Sequence, residues 1–166
     1  MDITFAGCTS LTSIDFSILN TQNLKSVNGL FHSCHSLDKA DFSNLDLKNL
    51  EIIYKMFYYC TSLTYINFSN VKTLNLTDMT GTFDGCISLT SIDLSSFENK
   101  NEINFGSLFD HCQNLTYIDI SSFNCEYKNY HENFNVFPDF GTIKIGNGCI
   151  NKLEGIIPSN RSIILQ

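Results

Sequence analysis

Cys8, Cys34, Cys60, Cys86 and Cys112 follow one another at a constant interval of 26 residues. A fixed period of this length signals a stacked repeat, because a unit this short cannot bury its own apolar face and does so only against its neighbours. Aligned on cysteine, the first unit reads Phe5-Ala-Gly-Cys-Thr-Ser-Leu-Thr-Ser-Ile-Asp-Phe-Ser17. The others run from Phe31 to Ser43, Phe57 to Ser69, Phe83 to Ser95 and Phe109 to Ser121. The shared pattern is F-x-x-C-x-[SN]-L-x-x-[IA]-[DN]-[FLI]-S, kept without an insertion.

Within each unit the apolar period changes. Leu11, Ile14 and Phe16 have the L-x-x-L-x-L spacing of leucine-rich repeats, a turn leading into a short strand around residues 12 to 17. Five parallel strands are expected, centred near Ile14, Ala40, Ile66, Ile92 and Ile118. Leu24, Val27, Leu30 and Phe31 then fall at i, i+3, i+6 and i+7, repeated at Leu50, Ile53, Met56 and Phe57, which predicts one apolar face of a short helix. The expected fold is α/β: a leucine-rich-repeat solenoid with a parallel sheet on the concave face and short helices on the convex face. Five repeats occupy residues 5–136. There the register is lost, and residues 137–166, with Thr142 to Ile145 and Ser162 to Leu165 reading as short strands, form a C-terminal cap. The chain enters almost directly at Phe5, so the uncapped N-terminal coil is expected to self-associate.

A net charge of −7 with ten Lys plus Arg and no basic patch argues against nucleic acid as a partner. No apolar run approaches the ~18 residues of a membrane span, so direct membrane insertion is not expected, and residues 1 to 5 have neither the basic start nor the apolar stretch of a signal peptide.

Each candidate chemistry has a plain alternative. Stacked cysteines present parallel side chains that do not point at each other as a disulfide requires, so the ladder reads as buried packing thiols. No C-x-x-C pair or histidine column supplies a metal site, and no metal or cofactor is expected. Cys125 and Cys149 stand outside the ladder and can pair within the cap in an oxidising compartment. His32, His35, His111 and His131 fall in different columns and read as surface residues. No nucleophile, base and orienting group are legible, so no catalytic residue is assigned and the chain is not expected to be an enzyme.

The outward strand columns are more informative, because alternate residues of parallel strands line one surface. One column is Ser13, Lys39, Tyr65, Ser91, Tyr117, the next is Asp15, Asp41, Asn67, Asp93, Asp119, and the third is serine throughout. Repeat-invariant residues serve the repeat, and variable columns carry specificity. Lys39, Tyr65 and Tyr117, flanked by Asp15, Asp41, Asn67, Asp93 and Asp119, are the candidate ligand-binding residues. Four N-x-[ST] sequons, at Asn67, Asn75, Asn114 and Asn160, matter only to an exported chain.

With F-x-x-C-x-S-L-T-x-I-D-F-S followed by a second apolar cluster ending in Leu-Phe or Met-Phe, the chain closely resembles the BspA-like leucine-rich repeats over residues 5 to about 136. That resemblance implies a cell-surface or extracellular adhesion-type protein whose concave face binds a protein or glycan ligand. The alternative is an intracellular scaffold for protein–protein assembly, with the first coil and the sheet packed against a partner.

Overall fold

The computed structural model describes residues 1–124, 141–146, 149, 157, 159 and 161–165. Six strands follow in order: β1 Lys39–Asp41, β2 Tyr65–Asn67, β3 Ser91–Asp93, β4 Tyr117–Ile120, β5 Gly141–Ile145 and β6 Arg161–Leu165. All neighbours are parallel, in two sheets ordered β1-β2 and β3-β4-β5-β6. Ala40 lies opposite Ile66 and Ile92 opposite Ile118, so within each pair the register equals the sequence period. The tail extends the second sheet, with Ile143 between Ile118 and Ile163. Residues 12 to 17, expected to form the first strand, are not a strand: their tie to β1 is the Asp38 amide donating to the Thr12 carbonyl at 3.0 Å. The end of the repeats and much of the cap, including Cys125 and His131, lie outside the described residues.

The expected helices are not there: the described residues contain no α-helix. Each unit instead carries two successive four-residue turns. In the second unit the Leu30 amide bonds the Val27 carbonyl and the Cys34 amide bonds the Phe31 carbonyl, at 3.2 and 3.0 Å. The third residues of these turns, Gly29 and Ser33, have φ of 53° and 58°, as a type II turn requires. Two such turns point residues 27, 30, 31 and 34 inward, an i, i+3, i+4, i+7 pattern indistinguishable from a helix face. Intervening amides leave the unit altogether. Val27, Gly29, Phe31 and Ser33 donate to the carbonyls of Ile52, Tyr54, Met56 and Tyr58 at 2.7–3.1 Å. The third and fourth units repeat this, from Ile53 to Asp78 and from Met79 to Asn104 onward.

Between the turns and the strands lies the core. Phe5, Phe31, Phe57, Phe83 and Phe109 form one continuous stack with ring centroids 5.5–5.9 Å apart. Each aromatic pair adds about 0.5–1.5 kcal/mol beyond its buried area. Beside it, each buried thiol donates to the carbonyl of the phenylalanine one unit back: Cys34 to Phe5, Cys60 to Phe31, Cys86 to Phe57 and Cys112 to Phe83, at 2.9–3.2 Å. A small apolar side chain with a weak donor suits that position, which explains the column. Cys8 departs from the expected burial. It is exposed, because among the described residues no earlier unit covers it.

Candidate ligand-binding face

In β1, β2 and β3 the middle residue is buried while its neighbours face outward. Lys39 and Asp41, Tyr65 and Asn67, and Ser91 and Asp93 thereby line one surface, continued by Tyr117 of β4. Lys39 stands opposite Tyr65 and Ser91 opposite Tyr117, so the face carries two separate pairs on two sheets. Tyr65 is 54% exposed, and the Lys39 ammonium lies 4.0 Å from Asp38.

The acidic column has one local geometry throughout. The Oδ1 atoms of Asp15, Asp41, Asn67, Asp93 and Asp119 accept the amides of Ser17, Ser43, Ser69, Ser95 and Ser121 at 2.8–3.0 Å. This is an Asx turn that ends each strand segment. Bonds from Ser17 and Ser43 hold the Asp15 and Asp41 carboxyls below their ordinary range. One oxygen of each is therefore committed to the turn, and the other is what an exposed Asp15, Asp41 or Asp93 offers a ligand.

Asp119 differs because it is buried. Its Oδ1 accepts the Ser121 amide and hydroxyl, at 3.0 and 2.6 Å, and its Oδ2 accepts the Lys144 ammonium at 2.9 Å. Burial alone would raise its carboxyl, but the bonds from Ser121 and Lys144 outweigh that and hold it low. The same pairing raises Lys144. Tyr117 donates to Asp119 at 3.5 Å, and burial followed by the nearby carboxylate pushes its phenol up. Lys144 was not among the candidates, since it falls outside the 26-residue pattern. The alternation of Thr142-Ile-Lys-Ile145 was the available signal, placing Lys144 opposite Asp119.

Burial raises the thiols of Cys34, Cys60, Cys86 and Cys112, the last to about 12, so at neutral pH they are protonated donors. Cys149 is buried and disulfide-bonded; Cys125, its expected partner, lies outside the described residues. Among the described residues no three His, Cys, Asp or Glu side chains gather as a metal would require, and no helix is long and apolar enough to cross a membrane. The face offers an exposed ring, an exposed cation, hydroxyls and singly engaged carboxylates. Those groups hydrogen-bond and stack; they suit recognition.

No curated protein and no solved structure matches this chain. One family model does, over residues 1–68 and again over 38–143. The chain belongs to the family described as Mycoplasma protein of unknown function, DUF285.

Proposed function

We propose that this chain is a non-enzymatic recognition module, a leucine-rich-repeat solenoid of the BspA-like kind from a cell-surface or extracellular protein, which binds a protein or glycan through its strand face. One observation carries the reading. Ser13, Lys39, Tyr65, Ser91 and Tyr117 vary from unit to unit at outward positions, while the columns beside them are fixed by turn geometry and core packing. An outward strand column that varies beside columns that do not is what a binding surface built on a repeating frame looks like. Tyrosine is a favoured contact residue there.

The test is surface plasmon resonance over immobilised matrix glycoproteins, paired with a glycan array. A ligand found there should lose about tenfold or more in affinity to Tyr65→Ala/Tyr117→Ala, whereas Asp15→Asn should mainly change its on-rate and salt dependence. Undiminished binding by the tyrosine double variant, with its fold intact by circular dichroism, overturns the assignment to this face.

The second reading, an intracellular scaffold that packs its first unit on a partner or a second copy, is favoured by the first unit's surface. Ile3 and Ile18 are 65% and 91% exposed, and Cys8 is exposed where its equivalents are buried. Concentration-dependent association in sedimentation, lost in Ile3→Lys/Ile18→Lys, supports it; a monomer at every concentration counts against it.

A further inference from the structure

The turn side carries a strained and unusually aromatic surface. Two columns of left-handed residues run along it: Ile3, Gly29, Lys55, Gly81 and Ser107, and Gly7, Ser33, Tyr59, Gly85 and His111. Glycine is the residue such backbone favours, yet Lys55, Tyr59 and His111 occupy it with large side chains. In the fourth unit the matching residues, Gly81 and Gly85, make room for Lys55 and Tyr59. A Cβ on Gly81 would lie 3.1 Å from Lys55 Cγ, and one on Gly85 would lie 2.9 Å from the Tyr59 ring. Side chains held in strained backbone concentrate where a function needs them.

These residues are joined in one belt. The Lys55 ammonium sits 4.7 Å above the Tyr58 ring and 5.2 Å from that of Tyr54. Tyr58 contacts His32 and Tyr59, and Tyr59 lies 6.5 Å from His111. His111 Nδ1 is 2.8 Å from Asp84, itself 8% exposed. Tyr54 and Tyr59 keep over a third of their surface in solvent. On a chain of charge −7 the belt therefore holds one ammonium, that of Lys55, against stacked rings, while Asp84 is engaged by His111 and Asp110 is adjacent to His111 in sequence.

We propose that Tyr54, Lys55, Tyr58, Tyr59 and His111 form a second binding surface, separate from the strand face, for an anionic saccharide. A sugar ring stacks its C–H face on Tyr59 or Tyr54, and its carboxylate or sulfate meets the Lys55 ammonium. Among the described residues Lys55 makes no ion pair, so its charge is left for an anion. A peptide is disfavoured because the amides of Ile53, Lys55, Phe57 and Tyr59 already donate to the next unit, leaving them unavailable to pair with an added strand. Flat exposed rings need no such edge.

The experiment is a titration of the full chain, followed by NMR, with a galacturonic acid tetrasaccharide, its fully methyl-esterified counterpart, and a glutamate oligopeptide. The charged sugar should bind about tenfold or more tightly than the ester, and more weakly at high salt. Lys55→Gly and Tyr59→Gly restore the residue that other units use in the same columns, so they should keep the melting temperature while losing about tenfold or more in affinity. Tyr54→Ser, outside the left-handed columns, should lose affinity too, and Tyr65→Ala/Tyr117→Ala should bind as the parent does. Absent binding of the charged sugar, equal binding by all three belt variants, preference for the glutamate peptide, or loss of binding in the strand-side variant would each overturn the proposal.

Discussion

The two sides of each unit are built to different standards. On the turn side, amides of the first four units donate to the next at every second residue through each pair of turns, beginning at Ile3 and running through Gly85. On the strand side the strands of the four later units are three or four residues long, and backbone pairing breaks between β2 and β3 into two sheets. The repeat is therefore held by its turns and its core, with the strands resting on that frame. A strand face that does little of the holding is free to vary at Lys39, Tyr65, Ser91 and Tyr117, which the proposed recognition requires.

The largest effect should come from the core shared by both sides. Phe57 is wholly buried at the centre of the phenylalanine stack, and Phe57→Ala should cost about 4 kcal/mol in urea unfolding. Asp119→Ala on the strand side removes the bonds from Ser121 and leaves Lys144 to water; the lost Ser121 bonds should cost about 1–3 kcal/mol, and a loss under about 0.5 kcal/mol would show that this cluster bears nothing. Gly85→Ala on the turn side places a Cβ against Tyr59 at a φ of 77°. It should cost about 2 kcal/mol, restored in large part by Gly85→Ala/Tyr59→Gly.

A smaller effect follows pH. The hydrogen bond and charge of Asp84 raise the His111 imidazole above its ordinary value. A raised folded pKa stabilises fully below the unfolded value of about 6.5 and loses that contribution as pH rises through the folded value. The melting temperature should therefore fall from this source above about pH 6.5. His111→Asn, which suits left-handed backbone, should flatten that part of the profile.

Much of this was legible in the sequence. The cysteine interval gave the unit, and the alternation around Ile66 and Ile92 gave strands with the observed inner and outer residues. The helices failed for a physical reason: two type II turns in tandem bury the same spacing that a helix face does. Gly29 and Gly81, in one column two residues before Phe31 and Phe83, and Gly7 and Gly85, just before Cys8 and Cys86, were the distinguishing signal. Comparing like columns also hid the Asp84–His111 pair, since a contact spanning 27 residues joins neighbouring columns. Lys144 escaped because its strand adds to the sheet without repeating the motif.

Native-state hydrogen exchange tests the division of labour most directly, comparing bonded amides on the two sides of the same units. The amides of Val27, Phe31, Ile53, Phe57, Met79 and Phe83 donate across the turn side, and those of Phe42, Thr64 and Leu94 donate across the strand side. The turn-side set should exchange only through global unfolding, at one common free energy, while the strand-side set opens at a lower one. Strand-side amides as protected as the turn-side set, or turn-side amides that exchange first, would contradict the account.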